Sequence, residues 1–118
     1  MEGRVTSVLV VDDDRVIAGL AEEILRDAGH EVYVAHDGPT ALELLEANAV
    51  EVVLTDVVLG AVDGVELAES IAALRPNTIV IFMSGYGAHS RGRAANDPVL
   101  TKPFSPSELR ERVAAALR

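Results

Sequence analysis

Short runs with strand character alternate with stretches of helical periodicity along almost all of this 118-residue sequence. Five runs have the length and the β-branched character of strands, at residues 8–11, 31–35, 52–56, 78–83 and 99–101. Apolar residues at helical spacing follow four of them, while residues 88–98 predict only a short or irregular helix. Strand–helix alternation without long linkers is typical of a parallel sheet with helices on both faces. Right-handed crossovers then favour an α/β doubly wound sheet, (βα)5, in a single domain.

Residues that begin or end helices stand at the boundaries of these segments. Asp14 is predicted to be a helix N-cap, and residues 37–39 open the next helix with a proline in its first turn. Ser105 and Glu108 form a capping box, and Gly29 supplies a C-terminal stop. The boundaries therefore support the alternation.

The run 52–56 is apolar, mostly β-branched and too short for a helix, which predicts a strand buried on both faces. Asp56 stands at its C-terminal end, where open α/β sheets hold their ligand sites. Residues 57–64 are predicted to form a loop closed by Asp63-Gly64. A single aspartate after a strand is usually a turn former or a helix cap, so the chemistry of the other strand ends decides its interpretation.

Acidic, hydroxyl and amine side chains stand at the ends of three other strands. They are Asp12, Asp13, Ser84 and Lys102, the last being the only lysine of the sequence. Converging carboxylates without His or Cys suit a hard cation such as Mg²⁺, which keeps several waters. The cation would clamp a phosphoryl group that a carboxylate could accept. The lysine and the hydroxyl would hold the remaining phosphoryl oxygens.

Each residue also has a purely structural interpretation. Ser84 alone fits a turn hydroxyl, Lys102 alone a solvated lysine, and Asp63 an Asp-Gly turn. Three histidines lack ligand spacing and are interpreted as isolated surface or loop residues: His30, His36 and His89. The structural interpretations do not explain why the polar residues occur together at strand ends.

Composition excludes several classes of protein. The absence of cysteine rules out disulfides, thiolate metal sites and a catalytic cysteine. A formal net charge of -9 argues against direct nucleic-acid binding, which needs a basic face. No apolar run has the length of a membrane span, and the N-terminus lacks a signal-type segment. A cytoplasmic protein without membrane insertion is therefore expected.

Over about residues 6–117 the sequence resembles the receiver domain of two-component response regulators. The motifs that carry the resemblance are Val8-Leu9-Val10-Val11-Asp12-Asp13-Asp14, Leu54-Thr55-Asp56, Asp63-Gly64, Met83-Ser84-Gly85-Tyr86 and Thr101-Lys102-Pro103-Phe104. The resemblance implies a flavodoxin-like fold with strand order 2-1-3-4-5. Residues 1–118 are expected to form one receiver domain with no output domain.

The resemblance also implies a role for the residues at the strand ends. Asp56 would accept a phosphoryl group from a phosphohistidine. Asp13 and Asp56 would bind Mg²⁺ directly together with the backbone carbonyl of Val58, and Asp12 mainly through water. Ser84 would hydrogen-bond the phosphoryl group, and Lys102 would pair with it. The resemblance also implies a cis Lys102–Pro103 peptide.

The implied function is that of a phosphoacceptor switch or phosphorelay module rather than an enzyme with turnover. A sensor histidine kinase or a histidine phosphotransfer protein would be the donor, and a downstream protein would read the phosphorylated state. The sequence departs from the family at Gly60, usually Pro, and at Val99, often Tyr or Phe. Residues 88–98 lack the apolar face used for dimerisation and resemble receivers of hybrid histidine kinases.

Two alternative functions remain open at this point. The chain could be a degenerate receiver that only binds proteins, although all five of its site positions are intact. It could also be a Mg²⁺-dependent phosphohydrolase with an aspartyl-phosphate intermediate. That chemistry usually needs a second acid near the nucleophile, where this sequence has Val58, and a cap domain, which it lacks.

Overall fold

The computed structural model describes residues 6–59, 62–85 and 99–118, with the backbone alone at residues 62 and 63. These described residues contain seven strands: β1 Ser7–Val11, β2 Glu31–Ala35, β3 Val52–Asp56, β4 Val58–Leu59, β5 Val62–Asp63, β6 Ile79–Ser84 and β7 Val99–Thr101. Five of them form a parallel sheet in the order β2-β1-β3-β6-β7. Counted within that sheet, the order is 2-1-3-4-5, so the predicted flavodoxin-like, doubly wound fold is confirmed.

Four helices cover the sheet within the described residues: α1 Arg15–Asp27, α2 Gly38–Ala47, α3 Gly64–Leu74 and α4 Pro106–Leu117. Successive side chains of a strand point to opposite faces, and β1 shows this directly. Val8 and Val10 belong to the core layer of α1 and α4, whereas Leu9 and Val11 belong to the layer of α2 and α3. Val52 to Thr55 of β3 are also buried, which confirms the prediction of a strand buried on both faces.

The predicted helix boundaries are confirmed at three N-termini and one C-terminus. The Asp14 carboxylate accepts hydrogen bonds from the first turn of α1, and the Asp37 carboxylate accepts one at the start of α2. Ser105 and Glu108 form the complete capping box of α4. Gly29, with φ at +98°, follows α1 in the left-handed conformation that glycine adopts at little cost.

The prediction of a plain loop at residues 57–64 is wrong. β4 and β5 pair there as a small antiparallel hairpin, with Val58 opposite Asp63 and Leu59 opposite Val62. Leu59 is buried in the layer of α2 and α3. This contact ties the segment after Asp56 to the core.

Some expectations fall outside the described residues. They concern Gly60 and the short or irregular helix predicted at residues 88–98. In the described parts of the chain, the longest helix has 13 residues, and no helix has the length and apolar character needed to cross a membrane.

Candidate functional site

The ends of four parallel strands bring the predicted polar residues to one edge of the sheet. Asp12 and Asp13 follow β1, Asp56 ends β3, Ser84 ends β6, and Lys102 follows β7. Val11 is the register partner of Thr55, so the residues after them, Asp12 and Asp56, leave the sheet side by side. Since β2 and β3 lie on opposite sides of β1, this is the point where the winding of the sheet reverses.

Three carboxylates meet at this point. Single oxygens of Asp12, Asp13 and Asp56 lie within 4.8 Å of one another. The Asp12 residue is buried, Asp56 is half-buried and Asp13 is exposed, so the cluster is open to water on one side. Ligand oxygens on opposite sides of a Mg²⁺ ion are about 4.2 Å apart, because each bond is about 2.1 Å long. The spacing and the all-oxygen chemistry of the three acids fit this ion.

Lys102 links two of the three acids. Its Nζ lies 2.8 Å from Asp12 Oδ2 and 2.9 Å from Asp56 Oδ2. Burial alone would lower the pKa of Lys102, but the hydrogen bonds to the two carboxylates outweigh burial, and the pKa is raised. The ammonium is therefore a fixed positive charge between the carboxylates.

Asp12 is held at both carboxylate oxygens. Oδ2 accepts from Lys102, and Oδ1 accepts from the backbone N–H of Asp14 at 2.9 Å. Burial raises the pKa of Asp12, and the hydrogen bonds of Lys102 and Asp14 offset part of that rise. Because Asp14 is also the N-cap of α1, the start of that helix and the orientation of the Asp12 carboxylate are coupled.

Asp56 is positioned by the backbone around it. Its Oδ1 accepts from the N–H of Val58 at 3.3 Å, and its carbonyl accepts from the hydroxyl of Thr55 at 3.1 Å. A Cβ atom at Gly64 would lie 2.1 Å from that same carbonyl oxygen. Only glycine fits there, since a real Cβ never approaches an oxygen so closely. The Asp63-Gly64 motif therefore marks a close contact between α3 and the tip of β3, which the sequence reasoning missed.

Ser84 and Lys102 are joined through the backbone. The carbonyl of Ser84 accepts from the N–H of Lys102 at 2.8 Å. The buried hydroxyl of Ser84 donates to the carbonyl of Gly85 at 2.9 Å. The Lys102–Pro103 peptide is cis, as expected.

The interpretation of His30 and His36 as loop residues is confirmed, since both lie between helices and strands, but each also makes a contact. Both are half-buried. The His30 ring contacts the hydroxyl of Thr6, and Nδ1 of His36 lies 3.1 Å from the backbone carbonyl oxygen of Asp12. The strand order could have indicated the contact between His36 and Asp12. The two residues directly follow β2 and β1, which are neighbours, and the last residues of these strands are register partners. The third histidine, His89, lies outside the described residues.

The fold and this edge define a doubly wound α/β protein with an acidic site at its topological switch point. Residues 8–114 match the response regulator receiver domain family, and the chain belongs to that family. It is a phosphoacceptor receiver module of two-component signalling.

Similar proteins agree with this assignment. The transcriptional regulatory protein CpxR of Escherichia coli K12 is 36% identical over 117 residues, which cover 94% of this chain and 49% of CpxR. The chain spans about half the length of the curated relatives it matches. The chemotaxis response regulator CheY4 of Vibrio cholerae is 26% identical with a TM-score of 0.85, covering 96% of this chain and 99% of CheY4. The receiver domain of the hybrid histidine kinase CckA is 30% identical with a TM-score of 0.82, covering 95% and 99%.

Proposed function

We propose that Asp56 accepts the phosphoryl group, and that Asp12, Asp13 and Asp56 hold Mg²⁺ together with the backbone carbonyl of Val58. The observation that carries the proposal is the meeting of three carboxylates within 4.8 Å beside the Nζ of Lys102. Asp56 ends the central strand at this edge, and its side chain is 16% exposed. An incoming phosphoryl group therefore has access to its carboxylate.

In the proposed step a carboxylate oxygen of Asp56 forms a bond to phosphorus while the phosphorus–nitrogen bond of a phosphohistidine breaks. The imidazole nitrogen keeps the electron pair of the broken bond. Lys102, which donates a hydrogen bond to Asp56 in the unphosphorylated protein, would pair with one phosphoryl oxygen. Ser84 would turn its hydroxyl from the carbonyl of Gly85 to a second phosphoryl oxygen. Bound Mg²⁺ supplies charge neutralisation for the phosphoryl oxygens.

The proposed donor is a sensor histidine kinase or a histidine phosphotransfer protein, and a downstream protein would read the phosphorylated state. Residues 1–118 would act as one receiver domain. The domain would lie in the cytoplasm, because the donor kinase takes its phosphoryl group from ATP there. One phosphoryl group per molecule makes the chain a switch rather than a turnover phosphohydrolase. Val58 supports this, because its apolar side chain, 56% exposed beside Asp56, has no group that activates water.

Replacing Asp56 with Asn should abolish phosphorylation by acetyl phosphate in the presence of Mg²⁺, because an amide is a poor nucleophile. Intact-mass measurement would detect the added phosphoryl group. Asp37→Asn is the matched control, since Asp37 also follows a strand at this edge and Asn is an equally good helix cap. An acid-stable, base-labile phosphoryl group on Asp56→Asn would contradict the assignment of Asp56. Rapid release of many phosphates per wild-type chain from acetyl phosphate would favour a phosphohydrolase.

A further inference from the structure

His36 contacts the site from a neighbouring strand. It stands one residue beyond β2, is half-buried, and places Nδ1 3.1 Å from the carbonyl oxygen of Asp12. A carbonyl oxygen only accepts hydrogen bonds, so Nδ1 carries the hydrogen and donates it. The backbone N–H of Asp12 donates to the carbonyl of Ala35 at 3.1 Å. Asp12 is therefore tied to the end of β2 through both of its backbone polar groups.

The bond from His36 acts on the peptide group that joins Asp12 to Asp13, because the carbonyl of Asp12 belongs to that group. This peptide lies beyond β1, where the hydrogen-bond ladder of the sheet has ended. Its plane sets the direction in which the chain leaves Asp12, and hence where the Cα of Asp13 stands. Asp13 is exposed, so the backbone rather than packing places its carboxylate near the other two.

We infer that His36 is a positioning residue, which fixes the Asp12–Asp13 peptide and so holds the two carboxylates in the arrangement that binds the cation. The inference rests on the proposed Mg²⁺ site. Outer partners that orient ligands contribute strongly to metal affinity although they never touch the metal. Here the partner acts through the backbone of the ligand residues.

Three substitutions separate a hydrogen-bond role from a packing role. His36→Asn keeps an N–H donor at the same number of bonds from Cβ as Nδ1. His36→Gln keeps a donor but moves it one bond farther out, and His36→Phe keeps a ring without a donor. His30→Phe is the matched control, because His30 precedes the same strand at the opposite edge of the sheet.

Mg²⁺ affinity of the chelator-treated full chain, measured by calorimetry at fixed ionic strength, is the main readout. His36→Phe and His36→Gln should bind Mg²⁺ about tenfold more weakly, whereas His36→Asn should stay within about twofold of wild type. His30→Phe should leave the affinity unchanged. In the metal-free protein, the amide NMR signals of Asp13 and Asp14 should move in His36→Phe and return towards wild type in His36→Asn.

The outcomes distinguish this inference from the proposed site. Suppose that His36→Phe and His36→Gln bind Mg²⁺ with wild-type affinity while Asp13→Ala binds it more weakly. This result would overturn the role of His36 and leave the proposed metal site in place. Equal weakening in all three His36 variants would also overturn it, because it would show a role in packing. Absence of Mg²⁺ binding by the wild-type chain would overturn the proposed metal site and this inference with it.

Discussion

Lys102 is the only amine side chain in the sequence, and the structure places it between two carboxylates. Its side chain is 18% exposed and that of Asp12 is fully buried, so water screens the pair only weakly. Without this ammonium, Asp12 and Asp56 would repel each other across a partly desolvated edge. The lysine therefore stabilises the acidic site of the metal-free protein.

The free energy of unfolding of the metal-free protein should accordingly fall as the pH rises above 10.5, the ordinary pKa of lysine. Burial lowers the pKa of Lys102, but its hydrogen bonds to Asp12 and Asp56 together raise the pKa by more than burial lowers it. The pKa in the folded state therefore lies above that in the unfolded state. Below the unfolded pKa both states are protonated and the stabilisation is complete. Above it the unfolded chain releases its proton first, and the stabilisation is lost as the pH passes through the folded pKa.

Urea unfolding of wild type and Lys102→Met, in chelator and at several pH values, would measure this loss. The variant should be less stable near neutral pH by about 1–3 kcal/mol, because a buried acid loses its partner. The difference should shrink above pH 10.5, and pH effects common to both proteins cancel in it. A difference that stays constant across this range would mean that the stabilisation does not depend on the charge of Lys102.

Two glycines in helices, Gly64 and Gly19, differ in the space that a side chain would have. Gly64 begins α3, and a Cβ there would lie 2.1 Å from the carbonyl oxygen of Asp56 and 2.8 Å from that of Val57. Gly19 lies in the middle of α1, and a Cβ there would meet nothing within 4 Å. The first allows a helix to approach a strand closely, whereas the second only leaves the helix more flexible.

The same chemical change should therefore have opposite effects at the two positions. Gly64→Ala should destabilise the protein by about 3 kcal/mol, because rigid backbone must move to admit the methyl group. Gly19→Ala should stabilise it by about 0.5–1 kcal/mol, since alanine loses less backbone entropy in a helix. Denaturant unfolding of both variants gives the two values. Phosphorylation by acetyl phosphate should slow in Gly64→Ala, which displaces Asp56, and stay unchanged in Gly19→Ala.

At the scale of elements, the sequence predicted the features that depend on local patterns of residues. The strand ends that carry Asp12, Asp56 and Ser84, together with the helix caps, follow from apolar runs and capping residues. The β4–β5 hairpin could not be predicted, because strands of two residues have no periodicity to detect. The contact of His36 was missed for a different reason: it depends on the register of β1 against β2, which no local pattern of the sequence specifies.

At the scale of the whole molecule, the acidic site depends on the folded sheet. Its carboxylates come from residues far apart in sequence, with Asp12 and Asp56 joined through Lys102. Buried strands β1 and β3 hold the two acids side by side, and no such cluster exists once the strands separate. An ion bound by these carboxylates therefore binds the folded state in preference to the unfolded one.

Mg²⁺ should consequently stabilise the whole domain. At a concentration of about one hundred times its Kd, an ion that binds only the folded state adds about 2.7 kcal/mol, which for a domain of this size raises the Tm by roughly 10 °C. Thermal unfolding with Mg²⁺, against NaCl of equal ionic strength, separates site binding from general screening of the formal charge of -9. Asp13→Ala should lose most of the increase and keep its fold, because Asp13 is exposed. An equal increase with NaCl, or an undiminished one in Asp13→Ala, would show that the stabilisation comes from screening rather than from the three carboxylates.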